Sequence, residues 1–294
     1  MRIAAGDGFE RAFEQACGDW VSAAPASPII ACGMVGSAQG WREAPYLEVP
    51  ASLDELGRAL TRVETGRGAV LHIIPGLIER GPLPDVMRGE ETQVAGAIAE
   101  PHPGGDRAAG DERTDLWIGL PGTHSKWVRV RDRRVVHFNT FMTGEVFAAL
   151  CAHTILGRTM RPAATPDLDA FDRGVEVARS PQARAGVLST MFSTRTLGLV
   201  GALAAEAQAD YLSGLLVGHE LAAVFALGAP GALGALGERP DGVVLAGSDA
   251  LCQRYRRALA AFGHAPAAIA ADATERGLWR VAASAGLVAQ GRAC

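Results

Sequence analysis

Leu120-Pro121-Gly122-Thr123-His124-Ser125-Lys126-Trp127-Val128 is the stretch on which the reading of this chain turns. The apolar run Leu116 to Leu120 enters it and the alternating run Lys126 to Val130 leaves it, which predicts two strands around a tight turn. Backbone N–H groups in such a turn can converge on one anion. Thr123 and Ser125 add hydroxyl donors and Lys126 a fixed positive charge. His124 adds an imidazole whose role the sequence leaves open. A hairpin turn whose Thr and Ser satisfy nearby backbone groups is the plain alternative. The dense Thr-His-Ser-Lys run favours contact with phosphate, by Gly122, Thr123, His124, Ser125 and Lys126. No Gly-x-x-x-x-Gly-Lys-Ser/Thr loop occurs, so this is not a Walker A device.

Outward from this hairpin, the pattern predicts an α/β protein. Phe9, Ala12, Phe13, Ala16 and Cys17 recur at helical spacing, so a helix is expected over 8–18. Pro28 to Met34 and Ala69 to Ile74 read as buried strands, and Ser52-Leu53-Asp54-Glu55 as a capping box opening a helix to Val63. Glu91 to Ala99 reads as helix. Residues 100–115 carry Pro101, Pro103, Gly104, Gly105 and Gly110 and form the expected domain boundary. A three-strand meander follows over 116–120, 126–130 and 135–139. Residues 159–174 are polar and proline-bearing; helices are expected over 181–192, 197–207 and 209–226. After a Gly- and Pro-rich loop at 228–242, Gly242 to Ser248 reads as a buried strand and tight turn. A helix over 249–262, a short strand at 265–270 and a helix over 275–290 complete the alternation.

Composition narrows the function. The chain has 294 residues, 48% hydrophobic and 20% charged, enough for two modest domains or one large one. A net charge of -4 offers no basic surface to nucleic acid. Five cysteines without a Cys-x-x-Cys pair read as reduced thiols, and no signal peptide or membrane-length apolar run appears, so a cytoplasmic protein is expected. The histidines are scattered, which argues against a zinc site, and no metal-ligating set is assigned. No Gly-x-Ser-x-Gly elbow is present.

Three further places can carry chemistry. Gly33 to Trp41 is a glycine-rich loop in which Ser37 and Gln39 can bind hydroxyls and Trp41 can pack on a carbon face; a core role for Trp41 is the alternative. Arg88-Gly89-Glu90-Glu91-Thr92-Gln93 supplies carboxylates at a helix start, where capping is the alternative role. Gly247-Ser248 ends a strand and opens a helix, where N–H groups can meet a nucleotide. Gly214 and Gly218 lie within a helical run and read as close helix packing.

Leu120 to Trp127 resembles the signature of the 2-dehydro-3-deoxygalactonokinase family. Gly33 to Trp41, Pro84 to Gln93, Phe141-Met142-Thr143-Gly144-Glu145 and Tyr211 to Glu220 resemble the same family, in the same order, over nearly the whole chain. The resemblance implies a two-domain actin-like, ribonuclease-H-like sugar kinase fold, divided here as 1–112 for the sugar acid and 113–294 for the nucleotide. It implies ATP and Mg²⁺, and phosphorylation of 2-dehydro-3-deoxygalactonate to its 6-phosphate in galactonate breakdown. By similarity to a Gly-Asp-Gln segment of related kinases, Glu90 is expected as the base, with Glu91 and Asp85 as alternatives. The acid substrate needs a cation, for which Arg88 is best placed, ahead of Arg42 and Arg80; Ser37, Gln39, Trp41, Glu91 and Gln93 join it. Gly247 and Ser248 join the nucleotide set. Small molecules are then the partners, with neither nucleic acid nor membrane, and a homodimer is left open. Relatives normally begin with a strand bearing Asp-x-Gly-Thr-Thr, whose Asp holds Mg²⁺, and this chain has no such motif. A first domain incomplete at its N-terminus, of poor stability and little activity, is therefore expected. Another sugar acid or hexose as substrate, and a non-catalytic sugar-acid-binding remnant, are the rival readings.

Overall fold

The computed structural model describes residues 7–98, 115–227, 240–264 and 267–289. Helix α1 (Asp7–Ala23) is longer than its apolar spacing predicts. It packs Phe9 and Phe13 on the Trp41 ring, with centroids 6.5 and 5.7 Å apart. Strand β1 (Ile29–Ala31) gives way at once to a 3-10 turn over Gly33–Gly36, so the apolar run to Met34 is only partly strand. Next come β2 (Tyr46–Glu48), β3 (Ala51–Ser52) and the one-turn α2 (Glu55–Arg58). One half of the predicted capping box forms, Ser52 N–H donating to Glu55 Oε2 at 2.9 Å. The helix does not reach Val63. Residues Thr61 to Glu64 instead form β4, paired antiparallel with β5 (Val70–Ile73), because its alternation buries Val63 on the sheet.

Strands β6 (Gly76–Glu79) and β7 (Asp85–Met87) lead into α3 (Glu90–Ala97). The meander is β8 (Asp115–Leu120), β9 (Ser125–Arg131) and β10 (Arg134–Phe141). Five helices follow: α4 (Thr143–His153), α5 (Leu168–Arg179), α6 (Val187–Thr190), α7 (Ser193–Leu199) and α8 (Gln208–Leu227). Then come β11 (Gly242–Leu245), α9 (Asp249–Ala261), β12 (Ala268–Ile269) and α10 (Ala273–Ser284). The polar stretch 159–174 contains the start of α5, which the sequence reading missed. Asp167 caps it by accepting from Ala170 N–H at 2.9 Å, and Phe171, Val175 and Ala178 bury its inner face. The domain boundary and the loop predicted over 100–115 and 228–242 lie largely outside the described residues.

Two three-stranded sheets, β1-β5-β4 and β2-β6-β7, occupy the first half of the chain; a six-stranded sheet, β12-β11-β8-β9-β10-β3, is built from the second half with β3 of the first half at its edge. In the large sheet β11 runs parallel to β8 and β12, while β8, β9 and β10 alternate in direction. Strand alternation covers both its faces. Ile118, Val128, Phe138 and Val244 share a core with Val94 of α3 and Val281 of α10. Trp117, Trp127, Val243 and Leu245 pack with Phe171, Val217 and Leu259 of α5, α8 and α9.

Two helix crossings are so close that only glycine fits. A Cβ on Gly214 of α8 would lie 1.9 Å from Phe171 O, and one on Gly277 of α10 would lie 1.8 Å from Thr92 O. The second crossing brings the last helix back onto the first half. No helix among the described residues is long and apolar enough to cross a membrane.

Candidate active site

In the first half of the chain, β7 ends in a turn that presents Arg88, Gly89 and Glu90. Gly89 precedes α3 with φ +112, a left-handed conformation that favours glycine, and a Cβ there would come 3.1 Å from Gly33 Cα. The turn is held by its own carboxylates. Arg88 N–H donates to Glu90 Oε2 at 3.0 Å, and Gly89 N–H donates to Glu91 Oε2 at 2.6 Å. Glu91 is fully buried and also accepts from Thr92 Oγ1 at 3.0 Å. Burial pushes its carboxyl up to about 7, against the pull of these bonds. Glu90 is half-buried, and its other oxygen has no hydrogen-bond partner among the described residues.

The Arg88 guanidinium lies 4.2 Å over the Tyr46 ring, and its Nη2 donates to Ala44 O at 2.8 Å. Among the described residues its Nε and Nη1 are buried without a partner, as is Ser37 Oγ. A Cβ on Gly36, beside Ser37, would lie 3.1 Å from Arg88 Nη1, so the loop and the guanidinium adjoin. Unpaired buried donors are costly. Their occurrence in adjoining segments fits an anionic, hydroxyl-bearing ligand.

Other residues predicted for this region are engaged elsewhere. Trp41 is half-buried and packed against Phe9 and Phe13 of α1. Gln93 donates to Thr274 Oγ1 of α10 at 3.3 Å, and Gln39 is exposed. Asp85 accepts from Thr140 Oγ1 at 2.6 Å, from Thr140 N–H at 2.7 Å and from Val86 N–H at 2.7 Å, which leaves little room for it as a base.

The hairpin of the second half divides into an open tip and a closed base. Thr123 and His124 are exposed beside half-buried Gly122. His124 Nε2 stands 2.5 Å from Glu145 Oε2. Ser125 and Lys126 differ from their predicted role as phosphate donors. The turn ends at His124, and both residues already belong to β9, where they point into the protein. Lys126 Nζ donates to Val86 O at 2.8 Å and Thr140 Oγ1 at 2.5 Å.

Ser125 Oγ bonds Tyr255 OH at 2.9 Å, and Tyr255 OH donates to Glu220 Oε2 at 2.8 Å. Glu220 also accepts from Trp127 Nε1 at 2.7 Å and from Thr143 Oγ1. Burial raises the Glu220 carboxyl above the usual range, while these three donors oppose the shift. The network ties β9, α4, α8 and α9 under the tip. Sequence reasoning gave Glu220 and Thr143 no role, although both lie in quoted motifs, because nothing local shows that they meet.

Gly247 and Ser248 are exposed at the end of β11, beside the hairpin: a Cβ on Gly247 would lie 3.1 Å from Pro121 O. Ser248 precedes α9 without a side-chain capping bond. A cavity of about 190 Å³ opens between tip, α4, α8 and α9, lined by Gly122, Thr143, Gly144, Leu216, Arg254 and Tyr255 among others. Arg254 is paired there with Asp210 at 2.5 Å.

Comparison with known proteins gives one answer at every level. The sequence profile of the family described as 2-keto-3-deoxy-galactonokinase matches residues 1–281. A Rhizobium meliloti (strain 1021) protein, described as a probable 2-dehydro-3-deoxygalactonokinase, is 43% identical over 259 residues, covering 87% of this chain and 78% of the relative. The 2-dehydro-3-deoxygalactonokinase of Escherichia coli (strain K12) is 34% identical over 247 residues, or 84% and 75% of the two chains. A crystal structure from Sinorhizobium meliloti bearing the same enzyme name superposes with a TM-score of 0.76 at 36% identity, covering 94% of this chain and 87% of that one. Motif order, fold and relatives agree, and the chain belongs to the 2-keto-3-deoxy-galactonokinase family.

Proposed function

We infer that this protein is a carbohydrate kinase that transfers the terminal phosphate of ATP to 2-dehydro-3-deoxygalactonate, giving the 6-phosphate. The observation that carries the reading is the family match over residues 1–281, with relatives of that name covered over three quarters or more of their length. The site geometry supports it. Arg88 Nε and Nη1 with Ser37 Oγ offer buried, unpaired donors of the kind a sugar acid's carboxylate and hydroxyls would satisfy. Glu90, with one carboxylate oxygen open, is our candidate to take the proton from the terminal hydroxyl as the phosphoryl group arrives. The tip Gly122-Thr123-His124 and the adjoining Gly247-Ser248 would receive the phosphates and nucleoside, with the cavity between α8 and α9 behind them.

Mg²⁺ balances phosphate charge in such reactions. Among the described residues no group of three His, Cys, Asp or Glu side chains gathers into a cage for it, so we assign it no ligands in this chain. The order β10-β9-β8-β11-β12, with only β9 reversed, favours a ribonuclease-H-like second domain. We retain the division 1–112 and 113–294, amended by α10, which packs on α3 and so joins the first part.

Mixing the protein with ATP, Mg²⁺ and a panel of sugar acids and hexoses, and weighing the products, tests the reading. Phosphate on 2-dehydro-3-deoxygalactonate in preference to the others supports it. Equal or better turnover of another substrate, or binding without turnover, overturns it.

A further inference from the structure

We propose that Lys126 and Asp85 are a positioning pair that fixes the hairpin tip against the turn carrying Glu90, and that neither touches nucleotide or sugar acid. The proposal rests on the functional reading above. Its starting point is the place where β9 and β10 meet β7. Lys126 is the third residue after the tip's Thr123, and its amine donates to the carbonyl of Val86, four residues before Glu90. The same amine donates to Thr140 Oγ1, whose hydroxyl donates in turn to Asp85 Oδ1 at 2.6 Å. Asp85 Oδ1 stands 3.9 Å from the amine.

A buried ammonium is tolerated only where its donors are used and a counter-charge is near. Lys126 is 5% exposed and meets both conditions with protein groups alone. A phosphate ligand would need that amine free and facing the tip.

The outer edge of β10 repeats the device one rung away. Its pairing with β3 ends at Val135, and among the described residues it has no further strand partner on that side. Carboxylates from the first half take its N–H groups instead: Asp85 Oδ2 accepts from Thr140 N–H at 2.7 Å, and Glu79 Oε2 accepts from Phe138 N–H at 2.9 Å. Side chains, rather than a continuous ladder, therefore set the register between β7 and β10. The Arg88–Glu90 turn follows β7 directly and the tip precedes β9 directly. A slip along this seam changes the distance between base and phosphate while leaving each half of the site intact.

Three full-chain variants separate this role from direct contact: Thr140→Val, the mildest, then Lys126→Met and Asp85→Asn. We would measure kcat, both KM values, the Kd of a non-hydrolysable ATP analogue with Mg²⁺, and amide exchange over residues 86–90. The expected result is a kcat loss of about 100-fold, a nucleotide Kd unchanged and faster exchange over 86–90. Lys126→Met combined with Asp85→Asn should fall no further than the worse single variant. A weakened nucleotide Kd with kcat intact would make Lys126 a phosphate ligand and overturn the proposal. Loss of turnover in Asp85→Asn alone would make Asp85 the base and do the same. If the wild-type protein phosphorylates no sugar acid, the functional reading fails separately, and exchange decides the pair: faster in Thr140→Val supports it, unchanged overturns it.

Discussion

The Arg88–Glu91 turn and the base of the 122–126 hairpin use the same materials, buried charge and hydroxyls, to opposite ends. At the turn, Arg88 Nε, Arg88 Nη1 and Ser37 Oγ are buried with nothing to bond among the described residues. Beneath the hairpin, Ser125, Lys126, Tyr255 and Glu220 are equally buried and all have partners. A closed network stabilises one backbone shape, because every group that leaves it loses a bond. An open set costs stability until something fills it. This contrast supports the proposed roles, the turn as the receiving surface and the hairpin base as the scaffold under a backbone tip.

The sharpest way to break this comparison is at Glu90. Glu90→Gln should lower kcat by about 1,000-fold, within the range that a general base contributes, with the thermal midpoint nearly unmoved. A comparable loss of stability would instead make Glu90 a capping residue.

Glu91 tests the turn through pH. Its carboxyl is raised from 4.5 in the unfolded chain to about 7 when folded. The stability it contributes is therefore complete below about 4.5 and disappears as pH rises through about 7. The difference is on the order of 3 kcal/mol. Gln at this position keeps an acceptor for Gly89 N–H but cannot ionise. Glu91→Gln should therefore be more stable than wild type at pH 8 and lose that advantage at pH 4, read from urea midpoints. Taking the difference from wild type removes the parallel contributions of Glu220 and His137, both also raised.

On the scaffold side, Glu220→Ala leaves the Trp127 N–H without its acceptor and opens a cavity among three helices and a strand. It should cost about 3 kcal/mol by denaturant unfolding. The smallest expected effect is at the proposed anion site. Arg88→Met should raise the KM for the sugar acid about 30-fold while the KM for ATP stays put. An increase in the ATP constant instead would move Arg88 to the phosphates.

Much of the fold was legible in the sequence. The meander around Leu120 to Val128, the strand Val70–Ile73 and the helix Asp249–Ala261 follow from apolar period and punctuation, which are local properties. The misreadings came where local signals compete. Thr61 to Glu64 reads as the tail of a capped helix until β5 is present to pair with it. Leu168 to Arg179 hides its helical face behind Pro166 and a charged exterior. At the candidate site, the sequence offered residue types but not directions. Ser125 and Lys126 follow Thr123 and His124 without a break, yet the turn ends between them and sends the later pair inward.

By itself the sequence determined most of the element types, the ordered motifs that mark the family, and the segments that carry the candidate site. Only the tertiary structure decided which polar side chains are satisfied by protein partners and which are left without one. That decision depends on partners far away in the chain: Val86 for Lys126, Tyr255 for Ser125, Glu220 for Trp127, and no partner among the described residues for two nitrogens of Arg88. Hydrogen bonds between distant segments carry no local period, so no spacing along the chain announces them.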